Sequence, residues 1–194
     1  MLQVRILPPQ CDIGRLTTVD RLTFDARHPT LLRMTSISVP QLRDRLQQML
    51  VLQMPVSQRL GFTIASVTAS AVALRAEFGI NRNHQGTAFA GSVNALATLA
   101  GWSTVWLTLQ EAGLSANAVL QDSEIRYLHP IMTDFTATSP FPATNERATL
   151  LDAVTRHGRG RVPVRVDVMA EGRTVARFYG RYVALMRTTG EATP

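Results

Sequence analysis

Cysteine and lysine are the two residue types that this sequence most clearly lacks. The 194 residues contain one cysteine, Cys11, which excludes a disulfide framework within the chain and a zinc site built on several cysteines. Lysine does not occur, so all 20 basic residues are arginine. A chain of this length buries roughly 70% of the surface that its unfolded form exposes, so its core requires neither disulfides nor a metal.

The positive charge is spread along the chain rather than clustered. The net charge is +6 and the pI is near 10.9, which raises the possibility of a nucleic-acid binder. Only Arg159, Arg161 and Arg165 form a close group, however, and nucleic-acid surfaces usually cluster their basic residues. We therefore predict no nucleic-acid partner, and keep a nucleic-acid binder, whose affinity falls steeply with salt, as a rival reading.

The two ends of the sequence differ from its middle. Residues 1–33 show no sustained hydrophobic period, so we predict a disordered tail, with the hypothesis that translation starts at Met34. Residues 34–187 are predicted to form one domain and residues 188–194 a loose end. No secretory signal pattern is recognisable at the amino terminus, so the predicted location is the cytoplasm.

Hydrophobic periodicity predicts the elements of an α+β domain. A helix begins near Pro40 and stops before Pro55, and a shorter helix spans residues 145–157. Alternating apolar residues predict about six mostly antiparallel strands. They lie near residues 60–65, 72–76, 119–128, 135–139, 162–168 and 175–186.

The segment 89–110 carries no charged residue, so a membrane span has to be considered. Asn94, Gly101 and several serines and threonines dilute its hydrophobicity, and no arginine lies immediately beside it to anchor a span. A helix that is apolar on nearly all sides, with scattered polar positions, is typical of a protein core. We predict no membrane partner and an antiparallel sheet wrapped around this long central helix.

Two motifs resemble known sequences. Residues 83–92 (NHQGTAFAGS) resemble the segment that enters the central helix of hotdog-fold thioesterases, and residues 125–131 (IRYLHPI) resemble the aromatic-Leu-x-Pro end of one of their strands. The first motif, together with residues 99–102 (LAGW) and 122–123 (DS), is similar to the thioesterase family named after the YiiD carboxy-terminal domain. The resemblance covers about residues 39–187.

The resemblance implies hydrolysis of an acyl thioester, with coenzyme A or an acyl-carrier pantetheine arm as the leaving group. It also implies self-association as a dimer or a dimer of dimers, with active sites at the subunit interface. The sequence departs from the hotdog pattern at Phe89 and Ala90, which replace a histidine and a glycine. Thr98 falls where many relatives carry a catalytic carboxylate.

The predicted catalytic residues are Asn83, Gly91 and Ser92. Backbone N–H groups at the start of a helix suit a developing oxyanion, and Gly91 lets a thioester carbonyl approach closely. Asn83 would orient water or the carbonyl; a loop-capping role is the alternative. The Ser92 hydroxyl would form a hydrogen bond with the water or with the substrate. The alternative is a hydrogen bond only within its own helix turn. His84 is a less favoured base, and no Ser-His-Asp order is evident.

The predicted substrate-binding residues are taken mainly from the same motif: Gly86, Thr87, Phe89, Ala90 and Asp122. Asp122 would supply a carboxylate across a dimer, or would belong to a surface ion-pair ladder with Glu124 and Arg126. Arg159 and Arg161 would meet coenzyme A phosphates, or lie on a solvated edge. We predict no metal and no cofactor. The alternative function is a non-catalytic protein that binds acyl thioesters. A dehydratase on the same fold is less favoured, because this sequence lacks the histidine and the acidic pair that dehydration requires.

Overall fold

The computed structural model describes residues 38–187. The predicted tails, 1–33 and 188–194, and the predicted start at Met34 lie outside the described residues. The elements follow the predicted order: α1 (Val39–Gln53), α2 (Pro55–Arg59), β1 (Phe62–Val67), β2 (Ala71–Ala76), α3 (Ala90–Glu111), β3 (Ala116–Tyr127), β4 (Phe135–Pro140), α4 (Thr144–His157), β5 (Arg159–Ala170) and β6 (Arg173–Met186).

The first two helices are separated by a single residue. Ser38 caps α1, since its backbone N–H donates to Gln41 Oε1 at 2.9 Å. The predicted apolar face of α1 is buried through Leu42, Leu46 and Leu50. Pro55 was expected only to stop this helix. It also begins α2, because proline suits the first helical turn, where its missing N–H leaves no bond unmade.

The strands form one six-stranded sheet in the order β1-β2-β4-β5-β6-β3, and every neighbouring pair is antiparallel. β5 and β6 show the alternation that the sequence predicted, with buried valines, Phe178 and Tyr182 on one face. Exposed arginines alternate with them on the other face. Glu171 and Gly172 join these strands in a tight turn, both with positive φ.

The central helix α3 packs against every strand from β2 to β6. Its side chains are buried on most sides, which confirms the prediction of a core helix. The buried hydroxyls of its second half are satisfied locally: Ser103 donates to the Leu99 carbonyl and Thr108 to the Thr104 carbonyl, both at 2.7 Å. These two hydroxyls are therefore buried without leaving their hydrogen bonds unmade.

One contact fixes the distance between α3 and the sheet. The Tyr182 hydroxyl, from β6, donates to the Thr98 carbonyl at 2.7 Å. A Cβ at Gly101 would lie only 2.7 Å from that hydroxyl, so only glycine admits the tyrosine here. The resulting architecture, an antiparallel sheet around a long helix, is the predicted hotdog arrangement. In residues 38–187 no helix is long and apolar enough to cross a membrane.

Candidate active site at the start of helix α3

The helix α3 begins with two free backbone donors. Phe89 caps the helix in an extended conformation, and its carbonyl accepts hydrogen bonds from the N–H groups of Ser92 (3.0 Å) and Val93 (3.1 Å). Among the described residues, no acceptor bonds the N–H groups of Ala90 and Gly91. These donors lie at the positive end of the helix dipole, so the position favours negative charge on a bound group.

The residues around these donors differ in their exposure to solvent. Phe89 is 55% exposed, Gly91 is exposed, and Ser92 is buried. A Cβ at Gly91 would overlap the Phe89 ring, so this ring lies against one side of the glycine. The Ser92 hydroxyl makes no side-chain hydrogen bond within residues 38–187. The predicted pair Gly91 and Ser92 therefore combines an accessible backbone with a hydroxyl left free for another partner.

The loop before the helix is organised by Asn83. Its Oδ1 accepts hydrogen bonds from the N–H groups of Gln85 (2.9 Å) and Thr87 (3.1 Å). Its Nδ2 donates to Thr87 Oγ1 at 2.9 Å, and its second contact, to the Ala88 carbonyl, is 3.5 Å long. This is the loop-capping pattern considered as the alternative. One of the two Nδ2 hydrogens makes only this long contact, so it is available to donate to a ligand.

Other loop residues differ in their exposure. Gly86 turns the loop with a φ of 78°, and no atom lies within 4 Å of the position of a Cβ. His84 is exposed. The structure thus brings the predicted residues 83–92 into one loop that leads directly into the helix start.

Asn81 anchors this loop, although in the sequence it is only one of several polar residues in a turn-rich segment. Its side chain is 2% exposed, and Nδ2 donates to the Leu60 and Glu77 carbonyls, both at 2.8 Å. Its own carbonyl accepts the Phe89 N–H at 2.7 Å. The cap residue of α3 is therefore held by a buried asparagine, whose importance shows only when the chain is folded.

Tyr127 joins the two sequence motifs. It lies at the end of β3, and its hydroxyl donates to the Ala90 carbonyl at 2.9 Å, across 37 residues of sequence. Burial raises the pKa of this hydroxyl above its ordinary value, so it remains a donor at neutral pH. The Ile131 carbonyl also accepts the Ala88 N–H at 2.8 Å. The strand end thus holds the loop and helix start in place.

Asp122 lies elsewhere. It pairs in register with Arg181, on the face of the sheet away from α3, and their side chains form a 2.8 Å ion pair. Glu124 and Arg126 form another at 2.8 Å. These are the ion pairs of the surface-ladder reading. The structure does not bring Asp122 to the helix start of its own chain, and a substrate role for it stays a prediction.

Three further side chains on α3 bear on the site. Asn94 lies one turn into the helix, and its Oδ1 is buried without a partner in residues 38–187, an arrangement that normally calls for a bound group or a neighbour. Trp102 and Trp106 stack with ring centres 5.7 Å apart, and Trp102 Nε1 donates to the Ala118 carbonyl of β3 at 2.9 Å. The tryptophans therefore pack the helix onto the sheet.

Comparison with known proteins identifies the family. Residues 43–186 match the family described as "Putative thioesterase (yiiD_Cterm)". The match spans most of the chain, so the chain belongs to this family, as the resemblance implied. Within the described residues, no cluster of three or more histidine, cysteine, aspartate or glutamate side chains could hold a metal ion.

Solved structures agree with this assignment. A Shewanella oneidensis protein titled a putative thioesterase is 31% identical, with a TM-score of 0.67, over 75% of this chain and 99% of that one. A Chlorobaculum tepidum protein of unknown function is 27% identical, with a TM-score of 0.74, over 78% and 99%. A Haemophilus influenzae thioesterase, 12% identical with a TM-score of 0.58 over 80% and 95%, shares the fold.

Proposed function

We propose that this protein is an acyl-thioester hydrolase, acting on acyl-coenzyme A or acyl-carrier thioesters. The observation that carries the proposal is the pair of free N–H groups at Ala90 and Gly91, beside an exposed glycine backbone. A thioester carbonyl placed there would have its developing negative charge met by both donors and by the helix dipole. Family membership supports the same chemistry.

The other predicted residues take supporting roles in this proposal. Asn83 offers its weakly held Nδ2 hydrogen to the attacking water or to the carbonyl. The free Ser92 hydroxyl bonds the same water. Gly86, Thr87, Phe89 and Ala90 contact the substrate from the loop and the helix start. Asn94 Oδ1 provides a further acceptor that a bound molecule can satisfy.

We also propose that the active molecule is a dimer joined through β3. β3 is an edge strand of twelve residues, so one side of its backbone has no strand partner among residues 38–187. Leu120, Ile125 and Trp102 are only partly buried against the core beside this edge. A second copy pairing there would cover them. A further dimer of dimers and a cytoplasmic location stay predictions from the sequence.

Thiol release from a panel of short, medium, long and aromatic acyl-coenzyme A esters tests the hydrolase proposal. Gly91→Ala, which forces the Phe89 ring to move, is expected to lower turnover at least about tenfold, since it disturbs the oxyanion position. Its melting temperature should not fall, because alanine is the better helix former.

Gly79→Ala is the matched control: Gly79 is exposed and a Cβ there meets no atom within 4 Å. Saturable binding of every ester with no thiol released would instead make this protein the non-catalytic binder considered from the sequence. Equal loss of turnover in the two glycine variants would remove Gly91 from the proposed site.

A further inference from the structure

Among the described residues, half of β5 has no strand beside it on one side. β4 pairs with β5 only at Asp167, Val168 and Met169, so the stretch from Arg159 to Val166 has no strand partner on that side within residues 38–187. Helix α4 lies along it, and a groove of about 840 Å³ opens between them. Its lining residues are Thr149, Ala153, His157, Arg159, Gly160 and Arg161.

The groove differs in charge from the rest of the sheet surface. On the neighbouring strand β6, Arg177 pairs with Asp167 at 3.5 Å and Arg181 pairs with Asp122 at 2.8 Å. Arg165, further along β5, forms no ion pair within residues 38–187 and lies over the Tyr179 ring at 5.8 Å. In the groove, Arg161 Nε bonds only the neutral Gln121 at 3.1 Å. Arg159 forms no ion pair or side-chain hydrogen bond within residues 38–187. Positive charge is therefore left unmatched in one concave place.

The spacing of the two arginines fits a phosphate. Arg159 and Arg161 are two residues apart on a strand, so both side chains leave the same face about 7 Å apart. Two guanidinium forks at that separation can bond different oxygens of one phosphate or of two neighbouring phosphates. Asp167 and Asp122 already pair two of the neighbouring arginines, which limits the unpaired charge around the groove and favours a small phosphorylated ligand over a broad acidic protein surface.

We propose that this groove binds the phosphate groups of the nucleotide part of a coenzyme A thioester, and that it serves the active site of the partner chain. The inference rests on the proposed hydrolase and its β3 dimer. Within one chain the groove and the start of α3 lie at opposite ends of the sheet. The first residues of β3 lie at the end of the sheet where Arg159 pairs with β6. The last residue of β3, Tyr127, contacts the start of α3.

Dimer geometry brings the two ends together. Two β3 strands related by a two-fold axis pair antiparallel, so the beginning of one lies near the end of the other. Arg159 is two strands from β3, about 10 Å at ordinary strand spacing. An extended pantetheine arm would then lead from the groove of one chain to the helix start of the other.

Binding of adenosine 3′,5′-bisphosphate, which has the phosphates and no thioester, tests the groove without any hydrolysis. Calorimetry should show at least about tenfold weaker binding for Arg159→Ala/Arg161→Ala than for the unchanged full chain. The control Arg173→Ala/Arg177→Ala removes the same charge from exposed positions on the other end of the sheet and should bind within twofold of the unchanged protein. Equal losses in both double variants, or none in either, would overturn the proposal.

Mixed dimers test the arrangement across the interface. In a dimer of one Gly91→Ala chain and one Arg159→Ala/Arg161→Ala chain, a groove that serves the partner leaves one site with both defects and the other intact. About half of the unchanged thiol release is then expected. Low activity at both sites would show that the groove acts within its own chain and would contradict the proposal. So would a loss confined to acyl-carrier-protein substrates, since that would identify an acidic protein as the ligand.

Discussion

At the scale of single residues, Asn83 shows how a side chain can belong both to the fold and to a candidate site. Three of its hydrogen bonds hold the loop, and a fourth contact of 3.5 Å leaves one amide hydrogen weakly bound. Both roles were open from the sequence, because asparagine commonly caps loops and because the thioesterase-like motif begins at this position. Only the folded structure shows which atoms of Asn83 form hydrogen bonds within the loop.

Asn83→Asp separates these roles. Aspartate keeps the two acceptor bonds to the Gln85 and Thr87 N–H groups but loses both Nδ2 donations. We expect thiol release to fall at least about tenfold, with a loss of stability near 1 kcal/mol for the missing bond to Thr87. Asn83→Ala, which removes all four contacts, should cost about 1–3 kcal/mol more. Thermal unfolding and thiol release are measured in parallel; matched losses of both in the aspartate variant would leave Asn83 a loop residue only.

Tyr182 provides a prediction about pH. Burial raises the pKa of its hydroxyl far above the ordinary value of 10.0. Above pH 10 the unfolded chain therefore loses this proton while the folded chain keeps it, so the free energy of unfolding falls as pH rises. The expected slope is about 1.4 kcal/mol per pH unit from this group. Denaturant unfolding between pH 9 and 11.5 measures it, and Tyr182→Phe should remove this part of the slope while lowering stability at neutral pH.

At the scale of elements, the uncharged, nearly all-apolar segment 89–110 predicted α3 within a residue at each end, and periodicity predicted the alternation of β5 and β6. It missed α2, because proline at position 55 both ends one helix and starts another. It also could not show the free half of β5, although Pro163 lies there: proline lacks an N–H and is tolerated where a strand has no partner. The pairing of strands depends on the folded sheet, so the sequence of a single strand gives little indication of which strands lie beside it.

The join between β3 and α3 can be tested through Tyr127. Tyr127→Phe removes one hydroxyl, which bonds the Ala90 carbonyl at 2.9 Å beside the free donors. We expect a stability loss of about 1 kcal/mol and a clear rise in KM or fall in kcat, because the helix start loses a restraint. Steady-state thiol release across the ester panel provides the measurement.

Tyr179→Phe is the control for Tyr127→Phe, since Tyr179 lies on the exposed face and contacts Arg165 through its ring. Unaltered kinetics for Tyr127→Phe would mean that the strand end does not position the site.

At the scale of the whole molecule, the proposed dimer depends on the apolar strip beside β3. Ile125 faces the core side of the sheet, in register with the buried Phe178, yet is only partly covered. Ile125→Glu places a charge at the proposed interface, so sedimentation should find monomers at concentrations where the unchanged protein is dimeric, with thiol release lost.

Val56→Glu is the matched control for Ile125→Glu. Val56 is 63% exposed on α2, which packs beside β1 at the opposite edge of the sheet, so its substitution should leave the dimer intact. A dimer that persists in the Ile125 variant would exclude this edge as the interface.

The two edges of the sheet are unlike, and this limits how large an assembly can grow. β1, the opposite edge, has six residues, an irregular register between Ile64 and Ser66, and α1 packed beside it. β3 has twelve residues, and no helix or strand of the described part of the chain covers its free edge in this way. Chains that join through one suitable edge in a two-fold manner stop at two copies, whereas two adhesive edges would propagate an open fibre. In the proposed dimer, the short first strand would therefore give a third chain no comparable edge to join.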